Sequence, residues 1–493
     1  RLQNGKASVI LLFSFVYVLG KMIMVFGFTM LIPLGLVMWG NDGARFVFEA
    51  SILITMSCGL MMWVATYRYK RELQTRDGFL LVVLIWSVLP AFAMLPLVLH
   101  LPQLNLSKAY FEAVSGLTAT GATVLTRLDS LPPSINLWRG EIVWLGGMGL
   151  IVLVVAILPL LGVGGRQMLN AEIPGPMKEN KLTPRIAETA KGLWSIYASL
   201  TLICALAYKW AGMNWFDAVM HAFTTLGLGG FSSHDASFGY WNSPRIELIA
   251  IIFMLIAGIN FSTHFLAWRA KSFSAYQYDS EVFLYLSIVL ISCISLACYL
   301  WLENVYPDPL NALRYATFNI VSVATTTGFS STDYSLWPIF IPLWMLFLAG
   351  FCTSSGSTGG GIKMIRARIL YQQVYREMIT IMHPNAIIPA KLGRSVVSSR
   401  VIFAVFVFLF VYTASIVLMT LILTLSGMDF MTSFSAAVAC VNNLGPGLGN
   451  IGPATTYASL TDFQIWVCGF AMLLGRLEFF TLLVIFTPAF WRK

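Results

Sequence analysis

Ten apolar stretches recur along the chain, at about residues 8–38, 46–66, 78–100, 141–163, 192–211, 246–268, 281–304, 336–352, 397–426 and 462–490. Each is long enough to be read as a helix crossing a ~30 Å hydrocarbon core. Lipid offers no partner to an unpaired peptide group, so such a chain is confined to helices, plus irregular segments that protein or a water-filled cavity shields. With 58% hydrophobic and 11% charged residues and a mean hydropathy of +0.77, the composition lies far from the ~25% charged residues of soluble domains. The expected fold class is an all-α polytopic membrane protein with no large soluble domain between spans. The first stretch is too long, and lacks the small-residue cleavage site, for a removable signal peptide.

Orientation follows from Lys and Arg, which concentrate in cytoplasmic connections. The segments 67–77 (Arg68, Lys70, Arg71, Arg76), 164–191 (Arg166, Lys178, Lys181, Arg185, Lys191), 269–271 (Arg269, Lys271) and 363–400 (Lys363, Arg366, Arg368, Arg376, Lys391, Arg394, Arg400) are basic. They follow every second span, which places both termini in the cytoplasm. The connections 101–140, 212–245, 305–335 and 427–461 are poorer in basic residues and carry Asp129, Asp217, Asp235, Asp308, Asp333 and Asp429. The net charge of +9 is therefore a topology signal, spread too thinly over short loops for nucleic-acid binding. Seven cysteines without a C-x-x-C pair read as buried thiols. No H-E-x-x-H or zinc spacing is present, and His221 and His264, at membrane depth, read as core histidines more readily than functional ones.

The four outer connections share a plan of a short amphipathic run, a hydroxyl- or amide-rich stretch and a glycine. They read "YFEAVSGLTATGATV" (110–124), "FDAVMHAFTTLGLGGFS" (216–232), "YATFNIVSVATTTGFSS" (315–331) and "FSAAVACVNNLGPGLGN" (434–450). Aligned on a glycine, Ala119-Thr120-Gly121, Thr225-Leu226-Gly227, Thr326-Thr327-Gly328 and Asn443-Leu444-Gly445 share one register. A helix that enters the membrane part-way and returns extended leaves carbonyls without partners, and four such segments around one axis stack oxygen rings that replace a cation's hydration shell. Glycine admits the close backbone approach and the positive φ. The competing reading is four re-entrant turns that only pack. Organisation follows from the repeat: an N-terminal helix pair (1–76) and pore repeats at 77–165, 190–271, 280–370 and 395–493.

Helix, pore helix, filter and helix, four times in one polypeptide, resembles the Trk/Ktr/HKT superfamily of cation transporters. The strings "TGATV", "TLGLGGFS", "TTTGFSS" and "NNLGPGLG" are most similar to the bacterial Trk-type potassium-uptake subunit. The resemblance implies Gly121, Gly227, Gly328 and Gly445 as filter glycines. Glycine rather than serine at 121 implies potassium over sodium, and potassium is the transported ion, with no organic cofactor. Strict fourfold symmetry is broken at Ala119, Leu226 and Leu444, which makes side-chain hydroxyl ligands doubtful there and selectivity looser.

"TSSGSTGGGIK" (353–363) directly follows "PLWMLFLAGFC". It approaches the phosphate-cradling G-x-x-x-x-G-K-[ST] pattern, but Ile362 separates Gly361 from Lys363 and Met364 stands at the hydroxyl position. Its glycines break the third repeat's second span, and a polar segment beneath a filter is a gate candidate: Gly350, Ser354, Gly356, Thr358, Gly359, Gly360, Gly361 and Lys363. Arg476 within "FAMLLGRLEFF" (470–480) costs at least ~2.5 kcal/mol at that depth; it therefore faces the bundle interior, and the resemblance gives it a gating role beside the loop. Its alternative is a structural arginine in a buried network. Glu478 lies on another helix face and cannot pair with it. Met148, Asn260 and Phe261, at similar depth, read as packing residues first, with lining of the pore as the alternative.

No catalytic constellation is evident, so the chain is not read as an enzyme. The resemblance further implies the bacterial inner membrane, a homodimer, and a separate cytoplasmic nucleotide-binding regulator docked on 164–191 and 363–400. The basic, aromatic run 365–382 would contact that regulator, the partner protomer or lipid headgroups. A proton- or sodium-coupled secondary transporter (a symporter) is the alternative. It needs intramembrane acidic relays, for which Glu478 is one of few candidates.

Overall fold

The computed structural model describes residues 2–69, 75–157, 186–384, 388–392 and 395–491. Apart from one two-residue antiparallel pair, Lys391–Leu392 with Ser395–Val396, the described regular structure is helical. The N-terminal pair is Leu2–Thr29, continued by Leu31–Gly40, against Arg45–Thr66. It closes through glycines: a methyl group on Gly20 would stand 2.8 Å from the Gly59 carbonyl oxygen, so small residues allow backbone approach where water exclusion supplies no drive.

Each repeat then follows one course. Its first helix is Thr75–Ala93 extended by Leu95–His100, Ile186–Ala211, Val282–Leu302 or Ser399–Leu425. A short helix follows: Leu106–Leu117, Trp215–Gly227, Pro309–Ala324 or Phe430–Val441, of 12, 13, 16 and 12 residues. At 1.5 Å per residue these reach only ~18–24 Å, so none crosses the bilayer. Their starts are written locally: the side chains of Asn214, Asp308 and Asp429 accept from the backbone N–H of Asp217, Leu310 and Thr432, satisfying orphan first-turn donors. The short helices and the turns that follow them are buried by the longer ones, and one hydrophobic core runs through all four repeats.

The second helices depart from the sequence expectation of a break in the third repeat alone. Pro133–Ile157 is continuous. The second repeat's helix breaks between Ala257 and Phe261 and bends by 92°, and the fourth breaks after Arg476 and bends by 110°. Asn260 explains the first bend, because its side chain accepts from Ser262 N–H and restarts the helix; Glu478 and Phe479, at φ 52° and 25°, end the other. In the third repeat Phe340–Phe351 stops after 12 residues, too short to cross alone, and Met364–Met382 resumes beyond the polar loop. Among the described residues six helices are long and apolar enough to span singly, and two bent pairs qualify together, where the sequence promised ten spans. The basic connection 164–191, as far as residue 185, and the end of the first repeat lie outside the described residues, as do Lys70, Arg71 and Arg394.

Candidate cation site and its inner loop

Each short helix ends in the same turn. In the first repeat Ala119 N–H bonds Gly116 O at 2.9 Å and Thr120 N–H bonds Ser115 O at 2.8 Å; in the third, Thr326 bonds Val323 at 2.9 Å and Thr327 bonds Ser322 at 2.8 Å. Asn443 and Leu444 repeat the pattern on Cys440 and Ala439. In the second repeat the residues in this register are Leu228 and Gly229, bonded to Thr225 and Thr224. Ala119, Leu228, Thr326 and Asn443 all take left-handed φ of 53–60°, which costs a non-glycine residue roughly 1–2 kcal/mol.

The expected second-repeat triplet is thus corrected by three residues. Thr225, Leu226 and Gly227 belong to the short helix; the Thr225 hydroxyl bonds His221 O at 2.6 Å and Tyr208 at 2.8 Å, and Gly227 packs on Val143. Leu228, Gly229 and Gly230 occupy the places of Ala119, Thr120 and Gly121. The signal was present: "GFSS" occurs at 230–233 and again at 328–331, and alignment on it rather than on the first glycine gives the observed register.

The four turns close on one another. A Cβ on Gly121 would overlap Gly229 O, one on Gly230 would overlap Thr327 O, one on Gly328 would sit 3.2 Å from Gly445 N, and one on Gly445 would sit 2.7 Å from Gly121 O. The contacts run 1→2→3→4→1, which is a ring. Gly121, Gly230 and Gly328 have φ of 81°, 63° and 89°, a region only glycine enters without strain. Among the described residues no hydrogen bond reaches the carbonyls of Thr120, Gly121, Gly229, Thr327 or Leu444, whereas Gly445 O accepts from the Tyr457 hydroxyl at 3.0 Å. A buried peptide oxygen normally has a partner, so this convergence of free oxygens is suited to a cation. Beyond the ring lies a cavity of about 270 Å³ lined by all four glycines.

The polar loop seats against the other end of the ring. Gly360 N–H donates to the Thr326 hydroxyl at 3.0 Å, and a side chain there would overlap Asn442 O; the Thr358 hydroxyl donates to Leu226 O at 2.9 Å. The loop is a tied structure: Ile362 N–H bonds Gly350 O, Met364 N–H bonds Thr353 O at 2.8 Å, and Ser354 N–H bonds Gly258 O at 3.0 Å. Ser355 N–H donates to Glu281 at 2.9 Å, Lys363 Nζ lies 3.5 Å from Ser357 O, and Gly356 O accepts from Phe261 N–H. Asn260, read as a packing residue, lies against Gly356.

Arg476 is buried and donates to Thr358 O at 3.1 Å and to Gly146 O at 2.8 Å. It therefore links the fourth repeat to the third repeat's loop and the first repeat's second helix, with its guanidinium 5.7 Å from the Trp86 ring centroid. Glu478 pairs instead with Arg366 at 3.0 Å. Both buried histidines have full ring partners: His221 bonds Asp217 O and the Ser232 hydroxyl, His264 bonds Ile256 O and Tyr276. Acidic side chains inside the bundle are more numerous than the sequence reading counted: Glu112 pairs with Arg139 and Glu247 with Arg314, Glu281 accepts from Ser355 N–H, and Glu141 is buried with no hydrogen-bond partner on either oxygen among the described residues.

Four half-inserted helices around an oxygen ring in an all-helical bundle define a membrane protein for cation passage. The family described as TrkH, cation transport protein, matches residues 44–493, and the chain belongs to it. It is 47% identical to the Trk system potassium uptake protein TrkH of Halomonas elongata, over 97% of this chain and 98% of that one. It is 44% identical to the TrkH protein of Escherichia coli K12, over 97% and 98%. The crystal structure of the potassium transporter TrkH from Vibrio parahaemolyticus superposes with a TM-score of 0.90 at 42% identity, covering 98% of this chain and 100% of that one. The chain is accordingly a transport protein, not an enzyme.

Proposed function

We propose that the chain carries potassium into the bacterial cell across the inner membrane, through a filter formed by Thr120-Gly121, Gly229-Gly230, Thr327-Gly328 and Leu444-Gly445. The observation that carries this is the closed ring of glycine contacts with unpartnered backbone oxygens, since such oxygens replace the water a cation sheds. Backbone coordination is indifferent to side chains, so Leu444 and Gly229 serve where threonines stand at 120 and 327. The loop 352–363 and Arg476 form the gate beneath. A fixed positive charge there opposes cation passage in a low-dielectric setting, and its two carbonyl bonds hold the loop against the ring.

The relatives' names place them in a Trk system, and we extend to this chain a homodimeric assembly and a nucleotide-binding regulator on the basic cytoplasmic face. Reconstitution tests the reading. The purified chain in liposomes is expected to pass potassium well ahead of sodium; no flux, or equal flux of the two ions, overturns it.

A further inference from the structure

We propose that the buried pair Glu112–Arg139 is a positioning device that fixes the spacing of the first two filter segments and so helps to set cation discrimination; this rests on the conduction reading above. Both side chains are wholly buried, with the carboxylate and guanidinium 3.0 Å apart. A buried ion pair gives little net stability, because desolvation offsets the attraction, so stability alone does not account for it. Here the use is visible in where the remaining bonds end.

Glu112, on the first short helix, accepts from the Thr123 hydroxyl at 2.9 Å and from Val124 N–H at 2.9 Å. Those residues leave the filter two and three positions after Gly121. Arg139, at the start of the next long helix, donates to Ser232 O at 3.0 Å, two positions after Gly230, and its guanidinium lies 4.4 Å from the Phe231 ring centroid. One ion pair therefore grips the exit strands of two adjacent repeats, behind the place where Gly121 meets Gly229.

The other junctions are held differently. Between repeats two and three Arg314 pairs with Glu247 at 2.7 Å and bonds Asn242, away from the strands that leave the ring glycines; at those strands the links are neutral, Ser330 N–H donating to the Ser237 hydroxyl at 3.3 Å and, between repeats four and one, Tyr457 N–H donating to Thr123 O at 2.8 Å. The brace also has neutral counterparts within repeats. The position nine residues before the ring glycine is Glu112, His221, Asn319 and Ala436. His221 bonds the Ser232 hydroxyl and Asn319 bonds Ser331, while in the fourth repeat Ser435 takes over on Leu448. Among these four positions only Glu112 is a carboxylate, and only its partner, Arg139, bonds the exit strand of a second repeat.

Flux of potassium and sodium through the full chain in liposomes tests this with Glu112→Gln, Arg139→Gln, the double variant and Thr123→Val. Each single charge variant leaves one buried charge beside the cavity, so both total flux and the potassium-to-sodium ratio are expected to fall, the ratio by about tenfold, equivalent to ~1.4 kcal/mol of lost discrimination. The double variant restores neutrality but not the grip: total flux recovers while the ratio stays low. Thr123→Val keeps both charges, guards against misfolding of the others, and is expected to lower the ratio alone. Monodisperse variants with the parent ratio overturn the brace, as does a double variant that regains discrimination. A parent protein that passes neither ion selectively overturns the conduction reading and this proposal with it.

Discussion

Ala119, Leu228, Thr326 and Asn443 share nothing as side chains, yet all four hold a left-handed backbone that the surrounding helices enforce. Conformation rather than residue type is repeated, which is why the second register eluded alignment on glycine alone. Gly230→Ala places a methyl group on Thr327 O in a backbone region unfavourable to alanine, so selective flux is expected to be lost. Gly227→Ala crowds Val143, away from the ring, and is expected to lower thermal stability while leaving the ion ratio intact; the reverse result would restore the original register. A second residue-scale prediction concerns the outer mouth, where His234 bonds Asp129 and Asp217. Burial pulls His234 down, but the two carboxylates outweigh it and hold the imidazole above its ordinary value. Burial likewise pushes Asp129 up, and bonding to His234 and Asp235 brings it below its usual range. The histidine's contribution is complete below its unfolded value of 6.5 and fades as pH rises through the higher folded one; the aspartate's is present above 3.8 and fades as pH falls. Because Asp129 is about half exposed, the pair is worth below ~1 kcal/mol. Raising the pH from about 6 to 8.5 is expected to lower the apparent melting midpoint by ~1 °C more in the parent than in His234→Gln.

Among the elements, the short helices and the polar loop were legible because each carries a local signature: an amphipathic run, then hydroxyls or amides and a glycine, or a glycine run after an apolar span. The two other broken helices were not, since "GINFS" and "GRLEFF" hold one glycine each, and an isolated glycine costs a helix only ~1 kcal/mol. In the second repeat the Asn260 cap is joined by tertiary bonds, Gly258 O and Phe261 N–H being taken by the loop's Ser354 and Gly356, partners no local window contains; in the fourth the break lies in the positive φ of Glu478 and Phe479. Arg476 was legible as a buried charge, and the identity of its acceptors was not. Those acceptors make a prediction at this scale. Arg476→Gln removes the charge and at least one of two bonds, to Thr358 O and Gly146 O, and is expected to raise basal potassium flux severalfold. Thr358→Val deletes only the hydroxyl's bond to Leu226 O and is expected to raise it less. Lower flux in both, in protein that stays monodisperse, would assign the arginine a purely structural role.

For the whole molecule, a single chain lets four similar units diverge while the ring between them closes: the loop comes from the third repeat, the arginine from the fourth, and the charged brace from the first. Divergence also sharpens the charge asymmetry between the two faces. Two arginines on the ring's cavity side are paired with carboxylates, Arg139 with Glu112 at 3.0 Å and Arg314 with Glu247 at 2.7 Å; the basic segments on the loop side would, if that side is cytoplasmic, accord with the usual excess of Lys and Arg there. With the exposed Cys298 replaced by serine, a cysteine at Ala236, exposed beside His234, is expected to react with an impermeant thiol reagent on intact cells. One at His383, exposed beyond Met364–Met382, is expected to react only after permeabilisation. Labelling in the opposite order would invert the chain, set the loop and Arg476 outside the filter, and turn the proposed inner gate into an entrance.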